Sequence, residues 1–229
     1  MSALAPMVRE FRAKTLLWLG LIIGFFFAFH LWQLVLLVLS FGDLPNYLTI
    51  HPWPANIARI VRMTPSVADM IPIMLDEWLI EIGSMNYDYG HGIAEWSFVV
   101  MPAKAAIVLL MSVLVATIVI LMRAVHESCP LLAWIAALIG AAVGAFTAGL
   151  ATMTITWVAH CGTPTWVVGL SIMGVDYATS FAIEPFGSWL TLFGISLLSM
   201  VAIGLGSFAA KPPAAAEMPR RLQLTRMAR

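Results

Sequence analysis

The residues with most capacity for chemistry gather around one histidine. Asp88, His91 and Glu95 are spaced i, i+3 and i+7, so on a helix they would share one face. Carboxylate and imidazole together suit zinc, copper or iron. His51, Glu81 and Asp176 are further candidates to converge on the same side. Gly90 and Gly92 bracket His91 and oppose a helix. No ligand spacing here is diagnostic of a metal, and the plainer expectation is a solvated acidic loop.

His30 lies inside a long apolar stretch, ten residues before Ser40. That spacing predicts a depth of about 15 Å below the end of the span, at 1.5 Å per helical residue. Ionisable groups at such depth are functional suspects; a neutral histidine in a helix contact is the competing expectation. A membrane haem held by two histidines needs them level on facing helices. His160 is expected at the end of the third span and His126 in a connection, so no pair is level. His30 could still ligate a cofactor shared with another chain.

Nucleophilic catalysis finds no support. His160 and Cys161 are adjacent in sequence, which does not make a working pair, and no Gly-x-Ser-x-Gly, zinc-protease or phosphate-loop pattern occurs. Cys129 and Cys161 form no CxxC pair and are expected on opposite faces of a membrane, too far apart for a disulfide. No cofactor is required by these residues.

The clearest local pattern concerns packing. Gly140 and Gly144 continue to Ala148, and a neighbouring row holds Ala141, Ala145 and Gly149. Small residues at four-residue spacing let helices approach closely in lipid. Thr147, Thr152, Thr154 and Thr156 lie in the same predicted span, and their hydroxyls could bond back to the helix, bond across to a neighbour or line a pore.

These residues must be positioned by membrane helices. Hydrophobic residues make up 61% of the 229 and charged ones 10%, against about 25% charged in an ordinary soluble domain. The mean hydropathy is +0.93. Formal net charge is zero, which removes the basic stripe that nucleic-acid binding requires. Four segments approach the roughly 20 apolar residues needed to cross hydrocarbon: about 15–40, 102–122, 130–159 and 188–210. The expected fold class is therefore an all-α integral membrane protein, a four-transmembrane-helix bundle with short amphipathic helices in its outer loops. The first apolar run is too long for a cleaved signal peptide and reads as an anchor.

Orientation follows from Lys and Arg near the span ends. Arg9, Arg12, Lys14, Arg123, Lys211, Arg220, Arg221, Arg226 and Arg229 would share one side, predicted to be cytoplasmic with both termini. The domains so predicted are a cytoplasmic N-terminus 1–14, a membrane domain 15–210 with outer loops 41–101 and 160–187, and a basic tail 211–229. Arg220, Arg221, Arg226 and Arg229 are expected to contact anionic lipid. Lys104, one turn into its span, is expected to snorkel to the outer headgroups.

In the first outer loop Pro45, Pro52 and Pro54 argue against regular structure. A short amphipathic helix is expected over 55–63. Ser66 and Asp69 suggest a capping box, and Val67, Met70, Ile71, Met74, Trp78 and Ile82 recur at helical spacing, with Pro72 as a break. Such helices lie flat in the interface or dock a partner helix. The second outer loop holds the apolar run 166–173, too short to span, and the two loops could pack together as a cap.

Three functions remain in view. The first is a non-catalytic membrane subunit of a larger inner-membrane complex, with lipid and other membrane subunits as partners. The second is a homo-oligomeric channel or carrier using the threonine face. The third is a metal- or haem-binding redox subunit using His30, His91 or His160.

Overall fold

The computed structural model describes residues 14–88, 90–125, 131–152, 156–157, 174–176, 178–179, 182 and 186–209. In chain order the elements are α1 (Thr15–Phe41), β1 (Tyr47–Ile50), α2 (Trp53–Met63), α3 (Val67–Asp76), β2 (Ile80–Asn86), β3 (Ile93–Val100), α4 (Pro102–Val125), α5 (Leu131–Thr152), β4 (Thr156–Trp157) and α6 (Gly187–Ala209). The chain is mostly helical, as its composition implied. Three helices are long and apolar enough to cross a membrane: Thr15–Phe41, Pro102–Val125 and Gly187–Phe208. Trp134–Gly149, within α5, is a shorter apolar helix, so the described residues do not establish the fourth span. Arg9, Arg12, His126, Cys129, His160, Cys161 and the tail from Lys211 lie outside the described residues.

The first expected outer segment holds more than amphipathic helices: it supplies β1, β2 and β3 of a four-stranded antiparallel sheet in the order β1-β2-β3-β4. β4 comes from the end of the third predicted span, whose helix stops at Thr152 and not at 159. β2 reads Ile-Glu-Ile-Gly-Ser-Met-Asn; Ile80, Glu81 and Ile82 alternate with the period of two that suits a strand, and the phase shifts at the irregularity between Ser84 and Met85. The helical repeat from Val67 therefore ends at Asp76 instead of reaching Ile82. The hairpin between β2 and β3 turns at Gly90 and Gly92, whose φ values of 86° and 88° suit glycine. β1 forms between Pro45 and Pro52 because it pairs with β2 alone; an edge strand tolerates flanking prolines. Ser66 stands at the N-cap of α3, but its side chain makes no capping bond, so the capping box is not formed.

α1 is the longest element. Its 27 residues extend about 40 Å, more than the roughly 30 Å of hydrocarbon. Gly42 ends it in the left-handed conformation at φ 81°, with its N–H donating to the Val38 carbonyl at 2.9 Å. The excess length is not left bare. β3 runs back along the last turns, and Leu37 is fully buried against Trp96 and Phe98. Burying such a side chain stabilises by about 1.5–3 kcal/mol.

α4 is the hub of the helices and packs on α1, α5 and α6. Trp18 Nε1 donates to Thr117 Oγ1 at 3.2 Å, which sets the antiparallel register of α1 and α4. Leu31 lies thirteen residues after Trp18, and Lys104 lies thirteen before Thr117. Equal rise on two antiparallel helices puts Leu31 and Lys104 at one level.

The small-residue rows of α5 serve contacts within the chain. A side-chain carbon added at Gly144 would meet the Gly194 carbonyl and Leu198 at 3.0 Å, and one at Gly140 would meet Val201 at 2.8 Å. Ala148 is fully buried against Gly194 of α6. Gly149 faces Phe29 of α1 and Met111 of α4. Ala145 packs against the helical core on the same flank.

Candidate functional site

The titratable groups that meet are on the sheet. Glu81 and Tyr47 project from the same face, since Tyr47 pairs with Gly83 and residues two apart on a strand share a side. Tyr47 Oη donates to Glu81 Oε1 at 2.8 Å. The other carboxylate oxygen lies 3.4 Å from His51 Nε2. His51 in turn stands edge-on to the Trp78 ring, with centroids 5.6 Å apart. Burial raises the Tyr47 phenol above its ordinary pKa, and the hydrogen bond and charge of Glu81 act in the same direction. His51 and Glu81 thus converge as their types suggested. Asp176 does not join them; its carboxylate accepts from the Thr179 backbone at 3.0 Å and hydroxyl at 2.5 Å, which lowers its pKa. One histidine and one carboxylate are too few for a metal. The chain of bonds ties β1 and the turn after it to β2.

The predicted trio around His91 is dispersed by the hairpin. Asp88 and His91 are exposed in the turn, whereas Glu95 lies on β3 and accepts from Asn86 Nδ2 at 2.9 Å. Among the described residues no group of three or more His, Cys, Asp and Glu could hold a metal ion. Glycine at 90 and 92 turns the backbone where the i, i+3, i+7 spacing needed a helix.

His30 lies within Thr15–Phe41, one of the helices long and apolar enough to cross a membrane. It neighbours Leu31, which is level with Lys104, and its ring packs edge-on against Phe98 of the sheet at 6.1 Å. His30 Nδ1 lies 2.8 Å from the Phe26 carbonyl. A carbonyl only accepts, so Nδ1 carries the proton and Nε2 presents a lone pair. Nε2 is buried without a hydrogen-bond partner, as are both amide atoms of Gln33 and the indole nitrogen of Trp96. Gln33 is 3% exposed, and a glutamine three residues after a histidine inside an apolar run is a signal legible in the sequence. His30 and Gln33 lie on the face of α1 turned to α4 and β3, giving a buried strip of unmet hydrogen-bonding capacity.

Beside this strip lies an apolar cavity of about 300 Å³ between α1, α4 and α5. Phe29, Trp32, Met111 and Ala145 contribute to its wall. Its one hydroxyl, Ser112, is already bonded to the Val108 carbonyl at 2.8 Å. Thr147 likewise donates to its own helix, at the Val143 carbonyl, at 2.9 Å. Thr152 ends α5, and Thr156 follows in β4 opposite Phe98, so these threonines do not continue one helical row.

No protein-family model matches this chain, and neither the curated proteins nor the solved structures yield a match.

Proposed function

We propose that this chain is a non-catalytic integral membrane subunit of a larger inner-membrane assembly, with four spans and both termini in the cytoplasm. One observation carries the assembly reading. Leu48, Ile82 and Phe98 form one row of the sheet, and Ile50, Ile80 and Val100 form the next. α1 covers this face at β3 only. At the β1 edge Leu48 is 62% and Ile50 74% exposed. An uncovered apolar face on an edge strand marks a contact surface or an aggregation hazard. A helix of another subunit standing beside α1 would complete the layer.

The fourth span is supported by topology. α4 leaves the sheet after β3, and β4 returns to it directly after α5, so α4 and α5 make one excursion out and back. A return over the 24 residues of α4 calls for an α5 of like length, and α5 has 22. The basic residues named above support placing the sheet on the side away from the cytoplasm.

Native mass spectrometry of the chain, gently extracted from its own membrane, tests the reading. Stoichiometric foreign subunits that leave on substitution of Leu48→Asp would support it. A pure homo-oligomer would overturn it in favour of a self-assembled channel or carrier.

A further inference from the structure

We propose that α2 and α3 form an arm bedded in the lipid surface on the sheet side of the membrane. The proposal does not depend on the chain belonging to an assembly.

The point of attachment sets the height of the arm. α2 and α3 are inserted between Ile50, where β1 ends, and Ile80, where β2 begins. Those two residues share a row with Val100, which precedes by two the first residue of the spanning helix α4. Both ends of the arm therefore leave the sheet in the row at which the chain enters the hydrocarbon. A second observation agrees. α3 packs against α4, and Asp76 at its C-terminal end lies close enough to Lys104 for their charges to interact. Lys104 is level with Leu31 by the Trp18–Thr117 bond, at the boundary where the sheet takes over α1.

The polarity of the arm fits that height. Neither helix has a fully buried residue, so the chain covers them only in part, where they meet each other and where α3 meets α4. Val67, Ile71 and Leu75 are exposed at i, i+4 and i+8, one apolar stripe on α3. Asp69 lies on the far side of the helix from that stripe, given 100° per residue, where the exposed Ile73 stands one turn on from it. On α2, Arg59 and Arg62 are exposed and held within their own helix: Arg59 donates to Asn56 Oδ1 at 3.1 Å and Arg62 to the Ala58 carbonyl at 3.0 Å. An apolar stripe with arginines and acids turned away is the pattern of a helix lying in the interface plane. Lipid is the occupant the arm meets at that level without any partner being recruited. Seated there, the arm would hold the sheet at a set height and angle over the bilayer.

Nitroxide labels on the full chain test this in vesicles of phosphatidylcholine and phosphatidylglycerol. Ile71→Cys and Asp69→Cys are labelled in turn, each in a chain carrying Cys129→Ala and Cys161→Ala. The ratio of oxygen collisions to collisions with a water-soluble nickel complex should be several-fold higher at 71 than at 69. Val67→Cys and Leu75→Cys should repeat the result at 71, which guards against one label disturbing the helix. Equal, high nickel access at all four positions would place the arm in water and overturn the proposal. Shielding of 67, 71 and 75 from both reagents, with immobilised spectra, would show a protein partner in place of lipid and would overturn it equally.

Discussion

Gly83 has no room for a side chain, because the Trp96 backbone carbonyl and the Tyr47 ring both lie against it. A carbon added there would sit against the Trp96 carbonyl and 2.7 Å from Tyr47 Oη. The bare glycine lets Tyr47 lie over β2 and reach Glu81. Gly83→Ala should therefore destabilise the folded chain by about 1–3 kcal/mol, the usual range for overpacking, read from thermal unfolding in detergent. A matching loss in Tyr47→Phe alone would show that the Tyr47 hydrogen bond, and not the space, sets the requirement. Gln33 argues the opposite way. Both its amide atoms are buried without partners, and replacing such a group by an apolar one of like shape is neutral or stabilising. Gln33→Met should leave the unfolding temperature unchanged or raise it. A marked fall would mean that the amide is satisfied by a bound molecule. At this scale the sequence was informative about residue type and poor about company. His51 and Glu81 do meet, yet Tyr47 on the other oxygen of Glu81 carries no motif, because residues of β1, the turn after it and β2 converge only once the register is set.

Length and register settle how the elements stand. The long apolar run of α1 was plain in the sequence, but its contact with the sheet was not. Its last turns carry Leu37 into the sheet, where Trp96 and Phe98 bury it. Hydropathy cannot separate these turns from the rest, since a face buried in protein and a face bathed in lipid are equally apolar. The Trp18–Thr117 bond sets Leu31 level with Lys104. Spin labels at Leu31→Cys and Lys104→Cys should report the same depth from the bilayer centre within a helical turn, about 5.4 Å. A label at position 31 lying deeper by 15 Å or so would restore the simpler picture in which α1 ends at the membrane surface. The sheet was the element least legible in advance. From Val67 to Ile82 the apolar residues satisfy a helical period, and only the alternation from Ile80 onward betrays the strand. β1 and β4 are four and two residues long, too short for any periodicity to show.

The whole molecule is a set of apolar helices with a sheet standing on one end. Its sidedness is a matter of charge placement, which needs no tertiary structure. Cys129 and Cys161 follow expected spans on opposite ends, so each can report it. With Cys161→Ala, Cys129 should react only with a thiol reagent that enters the cell. With Cys129→Ala, Cys161 should react with one that stays outside, and the reverse pattern would invert the orientation. What sequence alone determined is the membrane as solvent, the apolar helices and the close-packing rows of α5. These follow from composition and from periods of three to four residues, which are local properties. Tertiary structure decided the rest: that segments 41–101 and 156–157 join in one sheet, that His30 lies level with Lys104, and that the row from Gly140 to Ala148 faces α6. Each of these pairs residues far apart along the chain, and which partners meet is set by the packing of whole elements on one another, a choice no local pattern encodes.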